Sequence, residues 1–354
     1  MYCPENLRNQ KAIDSSGAGR PLERKESIMD IQGFSQQGNW YKGNLHSHTI
    51  NSDGKLTPAE AVALYREHGY HFLCLSEHNL YTDYRKDFDR KDFLILPGLE
   101  ASVILFERVG SALCRKAHHI HGILGTSQMQ AAAAKPLFYH MERLEPTICY
   151  GTWDGAAQAQ KVVDELTARG CITTYNHPIW SRVEKEDFCS TEGLWALEIF
   201  NFGTANESNT GYDTSYWDRM LQDGKHICAF ASDDNHNNGL FEDSFGGYIV
   251  VKSRELSHDS ILQNMLAGNY YSSSGPEIYD WGIRNGKVYV ECSPVYRIDF
   301  MAGNFIEDGI SRMARALEDT LCSGEYLLKG HERYVRVQCT DRYGKTAWSN
   351  PIYL

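Results

Sequence analysis

The sequence predicts an α/β protein: a distorted β/α barrel over residues 37–273, followed by a small antiparallel β domain, sandwich-like, over 274–354. Three observations lead there. A helix, a glycine and an apolar strand recur as a unit, and that alternation implies parallel strands joined by crossover helices. Metal-competent side chains fall just past several strand-like runs between His46 and His236, where a closed β/α barrel gathers its active site. An open doubly wound sheet would instead collect its ligands at one switch point. After Gly275-Pro276 the pattern changes to short period-two runs.

In chain order, residues 1–36 read as a polar, poorly ordered leader with Ser15-Ser16-Gly17-Ala18-Gly19 in its midst. Thr57-Pro58-Ala59-Glu60 is a capping box with proline at the first helical position, so a helix starts there and stops at Gly69. His71 to Leu75 is a buried strand, and Phe93 to Leu96 another. The unit returns as the helix Gln158 to Arg169 and the strand Cys171 to Tyr175. It returns again as Tyr216 to Gln222 and His226 to Ala231, and as Asp259 to Ala267 and Tyr270 to Ser272, with Trp195 to Phe200 as a further strand. The trailing domain takes its strands from Lys287 to Cys292, Arg297 to Met301, Glu325 to Leu328 and Tyr334 to Cys339. It carries one histidine, His331, and reads as packing material or a homo-oligomer contact.

Bulk properties narrow the function. A net charge of -11 speaks against a nucleic-acid polymer or an anionic membrane as partner. No apolar run approaches the roughly 18 residues of a membrane span, and the first 30 residues lack an apolar signal core. Cys74, Cys171 and Cys228 sit inside apolar runs, as buried free thiols of a reducing compartment do, so a cytoplasmic protein is expected. No Gly-x-Gly-x-x-Gly or Walker-type loop supports nucleotide-cofactor chemistry.

The chemistry starts at His46-Ser47-His48. Side chains two apart on an extended segment share a face, so both imidazoles can reach one divalent ion. Asp53, Glu77-His78, Glu100, His119-Ile120-His121, His177 and Asp233-Asp234-Asn235-His236 each add a metal-competent group after a strand. Together they exceed what one ion can use and point to a multinuclear hydrolase centre. His119 and His121 face the same side of a strand and compete for one ligand role, with His121 slightly favoured. The Asp-x-His spacing selects Asp234 as ligand and leaves Asp233 as an acid/base or supporting group.

The ordered set His46-x-His48, Asp53-Gly54, His78, Glu100, His119/His121, His177-Pro178 and Asp234-x-His236 resembles the polymerase and histidinol phosphatase (PHP) superfamily of metallohydrolases. The trailing Ala347-Trp348-Ser349-Asn350-Pro351-Ile352 resembles its carbaryl-hydrolase-like branch. The resemblance implies a distorted seven-stranded barrel, two or three divalent ions (zinc, manganese or iron) and phosphoesterase activity. It implies that His46, His48, Glu100 and Asp234 hold one ion and that Asp53, His78 and His236 hold a second. Glu100 would bridge to a third, held also by His177 and one of His119 and His121. Glu77 stands where the family commonly has aspartate.

The expected reaction is hydrolysis of a small-molecule phosphate ester by a water that bridges two metals and loses its proton near neutral pH. Asp53, Glu100 and Asp233 are the acidic groups assigned to catalysis. Arg182 is the candidate phosphate clamp, since a guanidinium matches phosphate oxygens bidentately. Asn79 and Asn201 follow strand ends and are candidate substrate donors. A carbamate, ester or amide hydrolase on the same centre is the alternative, and a non-catalytic metal-stabilised binding module the third reading.

Overall fold

A computed structural model describes residues 30–34, 37–316 and 318–354. Most of the expected leader, residues 1–29 and 35–36, lies outside the described residues. Its described end carries a strand: Ile31–Gln32 pairs antiparallel with Gly282 and Ile283 of the trailing domain.

The local signals act as the sequence requires. Thr57 Oγ1 accepts from Glu60 N at 3.3 Å while Glu60 Oε2 accepts from Thr57 N at 2.8 Å, and the helix Pro58–Glu67 follows. Gly69, with φ of +75°, turns the chain out of it into the strand Phe72–Leu75, a conformation open to glycine at little cost. Asp154 caps the helix Gly155–Ala168 through Ala157 N, and Cys171–Tyr175 follows. Thr214–Gln222 precedes Cys228–Ser232, and His258–Leu266 precedes Tyr270–Ser273. No helix of the described residues is long and apolar enough to cross a membrane.

Seven strands position the site, in the spatial order Cys228–Ser232, Leu194–Asn201, Cys171–Tyr175, Cys114–Leu124, Leu94–Phe106, Phe72–Leu75 and Asn39–Asn44. Parallel pairing joins the last three at one end and the first three at the other. Cys114–Leu124 departs from the all-parallel expectation, running antiparallel to both neighbours. The connection from Leu94–Phe106 is a short hairpin through residues 107–113, which has no room for the crossover that a parallel return needs. Beyond the outer strands, Ser47 and Asn235 form a parallel bridge, with His48 N donating to Asn235 O at 3.0 Å and Asp234 N to His46 O at 3.1 Å.

The same sheet continues from Asn39–Asn44 through Tyr248–Ser253 and Tyr270–Ser273 into Thr346–Ser349, Tyr334–Thr340, Arg297–Gly303 and Ile310–Met313, all antiparallel. The helix His258–Leu266 therefore links an antiparallel pair, against the parallel expectation. A separate antiparallel sheet of Ile31–Gln32, Ile278–Arg284, Lys287–Val295 and Leu321–Leu327 packs against this extension around Trp281, Val288, Val290, Ile298, Phe300 and Val337. The trailing residues thus form a two-layered β unit that shares a sheet with the α/β part.

Candidate metal centre

Past Asn39–Asn44 the chain bends at Leu45 and Ser47 bridges to Asn235, and His46 and His48 on either side of that bridge are fully buried. Glu100, on Leu94–Phe106, points into the same space and is also fully buried. Five imidazoles surround its carboxylate. Oε1 lies 3.2 Å from His46 Nε2, 3.4 Å from His177 Nε2 and 3.5 Å from His119 Nδ1; Oε2 lies 3.0 Å from His78 Nδ1 and 3.5 Å from His48 Nε2. Asp234 Oδ1 lies 3.0 Å from His46 Nε2 and 3.1 Å from His48 Nε2. At the half-exposed rim, Asp53 reaches His236 Nε2 at 3.3 Å and His78 Nε2 at 3.6 Å.

These donors fit divalent ions. Four overlapping groups have their ligand atoms within 4.8 Å of one another: His48, Asp53, His78 and His236; His46, His177 and Asp234; His46, His48 and Glu100; and His78, Glu100 and His119. His46 Nε2, His48 Nε2, His78 Nδ1, His119 Nδ1 and Glu100 Oε2 are buried and make no hydrogen bond. Buried polar atoms rarely go unpaired, and here they converge, as ligands of shared cations do. His177 and Asp234 also hold left-handed backbone angles, φ +27° and +53°, a local strain that collects at functional sites.

Electrostatics follow from crowding. Burial would raise the Glu100 carboxyl, but the charges of His46 and His119 hold it well below the usual range. Burial, with His78 and His236 nearby, pushes His48 down to about 3. Burial would lower His236, but Asp53 and Asp234 lift it to about 9.

The histidine pair separates by depth. In the hairpin register His121 lies opposite Glu100 and His119 opposite Ser102, one pleat nearer the carboxyl end. The Glu100 side chain reaches His119, whereas His121 belongs to none of the four groups. It packs edge-on against His46, ring centroids 4.3 Å apart, with both nitrogens unpaired. The structure thus brings His119 rather than His121 within reach of Glu100.

Four other expectations change. Arg182 is exposed and is not among the residues that line the cavity over the centre. Its φ of +58° belongs to the turn after His177. Asn79 is occupied with Ser102, donating to Oγ at 3.1 Å and accepting from Ser102 N at 2.8 Å. Asn201 is buried and donates to Asp234 Oδ2 and Glu198 Oε2, both at 3.0 Å, so it orients a ligand. Asp233 turns away from the centre and gathers Tyr65 Oη and the backbone N–H groups of Phe245, Gly246 and Gly247. Burial pushes its carboxyl up to about 6 against those four donors, and its role is to hold a loop. Glu77 does not touch His78; its longer carboxylate reaches forward to Thr49 N at 3.0 Å and to the Ser52 hydroxyl, bracing the turn that carries Asp53.

Sequence reasoning missed Glu198. It is fully buried, accepts from His46 Nδ1 at 2.9 Å and His177 N at 3.0 Å, and takes the Ser232 hydroxyl. The signal was present: one acid inside the apolar run Trp195-Ala196-Leu197-Glu198-Ile199-Phe200, a place where a charge must be paired. Asn176, which donates to Glu100 Oε1 at 2.8 Å, was missed too. A cavity of about 250 Å³ opens over the centre, lined beyond the ligands by Trp180, Gly203, Thr204, Glu207, Asn238 and Phe241.

No family model and no curated protein matches this chain. Among solved structures it is similar to a two-domain protein from Bacteroides vulgatus ATCC 8482 described as containing a predicted PHP-like metal-dependent phosphoesterase. The two share 15% identity at a TM-score of 0.45, over 96% of this chain and 100% of that one. It is also similar to a candidate metal-dependent phosphoesterase from Bifidobacterium adolescentis ATCC 15703, at 14% identity and a TM-score of 0.38, over 65% of this chain and 96% of that one. Neither description names the carbaryl-hydrolase-like branch.

Proposed function

We propose that this chain is a metal-dependent phosphoesterase of the PHP type, hydrolysing a small-molecule phosphate ester at a centre of two or three divalent ions. The observation that carries the reading is Glu100, one buried carboxylate within 3.0–3.5 Å of five histidines. A carboxylate so placed would help hold more than one cation, and adjacent divalent ions would suit in-line displacement at phosphorus. When bound, such ions supply Lewis acidity and activate water near neutral pH.

The protein's own part is orientation. Glu198 holds the His46 ring through Nδ1, which leaves Nε2 for an ion, and Ser181 Oγ holds His177 Nδ1 at 3.2 Å to the same effect. Asn201 and Asn176 hold the Asp234 and Glu100 carboxylates. Trp180, with its ring edge-on to His177 at 5.1 Å, walls the cavity against water. The seven-strand run closing into a barrel is part of this proposal, supported by the Ser47–Asn235 bridge.

One observation favours the alternative substrate class. No Lys or Arg is among the described residues that line the cavity, so the ions alone would meet a phosphate dianion. A neutral carboxylic ester or carbamate needs no such cation. Hydrolysis of p-nitrophenyl phosphate, bis-p-nitrophenyl phosphate and p-nitrophenyl acetate decides between them. Phosphate ester turnover, lost with a chelator and restored by manganese or zinc, is expected. Acetate turnover outrunning both phosphate esters would reject the phosphoesterase reading.

A further inference from the structure

The two ends of the metal centre lie at different depths. The side chain of Asp53 is 56% exposed and those of His78 and His236 are 25% exposed, against 0–2% for Glu100, His46 and His177. Among the described residues, only the imidazoles of His48, His78 and His236 meet the Asp53 carboxylate, at 4.0, 3.6 and 3.3 Å. The backbone must therefore aim this ligand. Asp53 sits in a tight turn, where Ser52 N and Gly54 N both donate to Thr49 O, at 3.1 and 2.9 Å. One side chain grips that turn. Glu77, fully buried, accepts from Thr49 N at 3.0 Å and from the Ser52 hydroxyl through Oε2, and from the Thr49 hydroxyl through Oε1. Among the described residues no Lys or Arg pairs with it, so these donors to a charged acceptor are what offset its burial. Its backbone is tied to the inner end, because Glu77 O accepts from Glu100 N at 3.0 Å. Ser52 Oγ also stands 3.5 Å from His48 Nδ1.

We propose that Glu77 and Ser52 form a latch that positions Asp53, and that this latch sets how tightly the outer cation, the one held by Asp53, His78 and His236, is bound. The outer cation is the last to bind and the first to leave. Loss of an inner cation strands His46 Nε2 and His119 Nδ1, which are buried and make no hydrogen bond, whereas water can take the place of the outer cation at Asp53. Glu77 and Ser52 are positioning residues: they act through the turn and do not themselves meet the cation. The latch rests on the multinuclear centre of the phosphoesterase reading, and not on which ester is split.

Titration of the metal-free full chain with manganese, by calorimetry and by competition with a chromophoric chelator, tests this. Wild type should take up its last equivalent more weakly than its first. Glu77→Gln and Ser52→Ala should each weaken that last step by about tenfold, the lower end of what lost support behind a ligand costs. The earlier steps should stay within about twofold, and the double variant should be little worse than either single one, because both remove the same contact. Ser52→Thr keeps the hydroxyl and should keep the wild-type affinities. Ser52 is half-buried on a turn, so its variants report even where Glu77→Gln fails to fold. A Glu77 that only stabilised the fold would lower the melting temperature of the metal-free chain and leave every binding step in place. That result, or an equal weakening of all steps, would overturn the latch while ester turnover by wild type kept the phosphoesterase reading standing. Selective loss of the last step, with no phosphate ester hydrolysed by the loaded wild type, would uphold the latch and reject that reading. A wild type that binds a single ion would overturn both.

Discussion

Glu198 Oε1 lies 2.9 Å from His46 Nδ1, so this imidazole presents Nε2 to Glu100 and Asp234. A carboxylate behind a ligating histidine fixes the tautomer and ring angle and strengthens the donor. Glu198→Gln should therefore lower metal affinity by about 10- to 100-fold while the fold survives. Competition with a chromophoric chelator measures this; unchanged affinity would remove Glu198 from the centre.

Glu100→Ala should abolish activity and lower metal content by more than one equivalent from the two or three ions per chain expected of wild type. His140→Ala should do neither. His140 is exposed and its Nδ1 accepts from Asp83 N at 3.1 Å, away from the centre. Elemental analysis of the purified variants reads both outcomes, and one ion or fewer in active wild type would refute a multinuclear centre.

His119 and His121 should respond differently. His119→Ala removes a ligand atom near Glu100 and should lower metal content and activity together. His121 has two buried nitrogens without partners, so an apolar replacement of similar volume removes an unpaired polar group. His121→Leu should keep its metal and lose no thermal stability. Metal loss in His121→Leu with retention in His119→Ala would reverse the assignment.

Arg182→Ala should change kcat/KM for phosphate esters by less than about twofold, because the exposed side chain is not part of the cavity lining. A bidentate phosphate contact would instead be worth roughly 1.5–3 kcal/mol, or a drop of about 10- to 100-fold. Steady-state kinetics separate the two.

Asp213 gives a pH dependence of stability. Burial pushes its carboxyl up to about 8, with Oδ1 accepting from Ile179 N at 2.9 Å and Oδ2 unpaired. Between about pH 4 and pH 8 the native protein holds a proton that the unfolded chain has released, so stability falls as pH rises through that window. Asp213→Asn keeps an acceptor for Ile179 and removes the titration. Its melting-temperature advantage should widen from pH 5 to pH 8 by at least about 2–4 °C, on the order of 1 kcal/mol. A constant offset across that range would show that Asp213 does not titrate there.

The sequence by itself determined the helix that starts at the Thr57–Glu60 capping box, several buried strands and the ordered set of candidate ligand residues, because each is a local matter. Thr57 and Glu60 cap one helix from three residues apart, and the spacing of His46 and His48 alone puts both rings on one face. The tertiary structure decided what depends on register and direction between distant segments. His119 and His121 share a face, and only their pairing with Ser102 and Glu100 sets which stands level with the carboxylate. The segment of His119 and His121 reads as a strand, and only the short hairpin from Leu94–Phe106 sets Cys114–Leu124 antiparallel to its neighbours. Glu198 meets His46 from 152 residues away, and Asn201 meets Asp234 across two adjacent strands. Periodicity records which way a side chain points; how deep it sits, and what it finds there, is settled by chain segments that no local pattern describes.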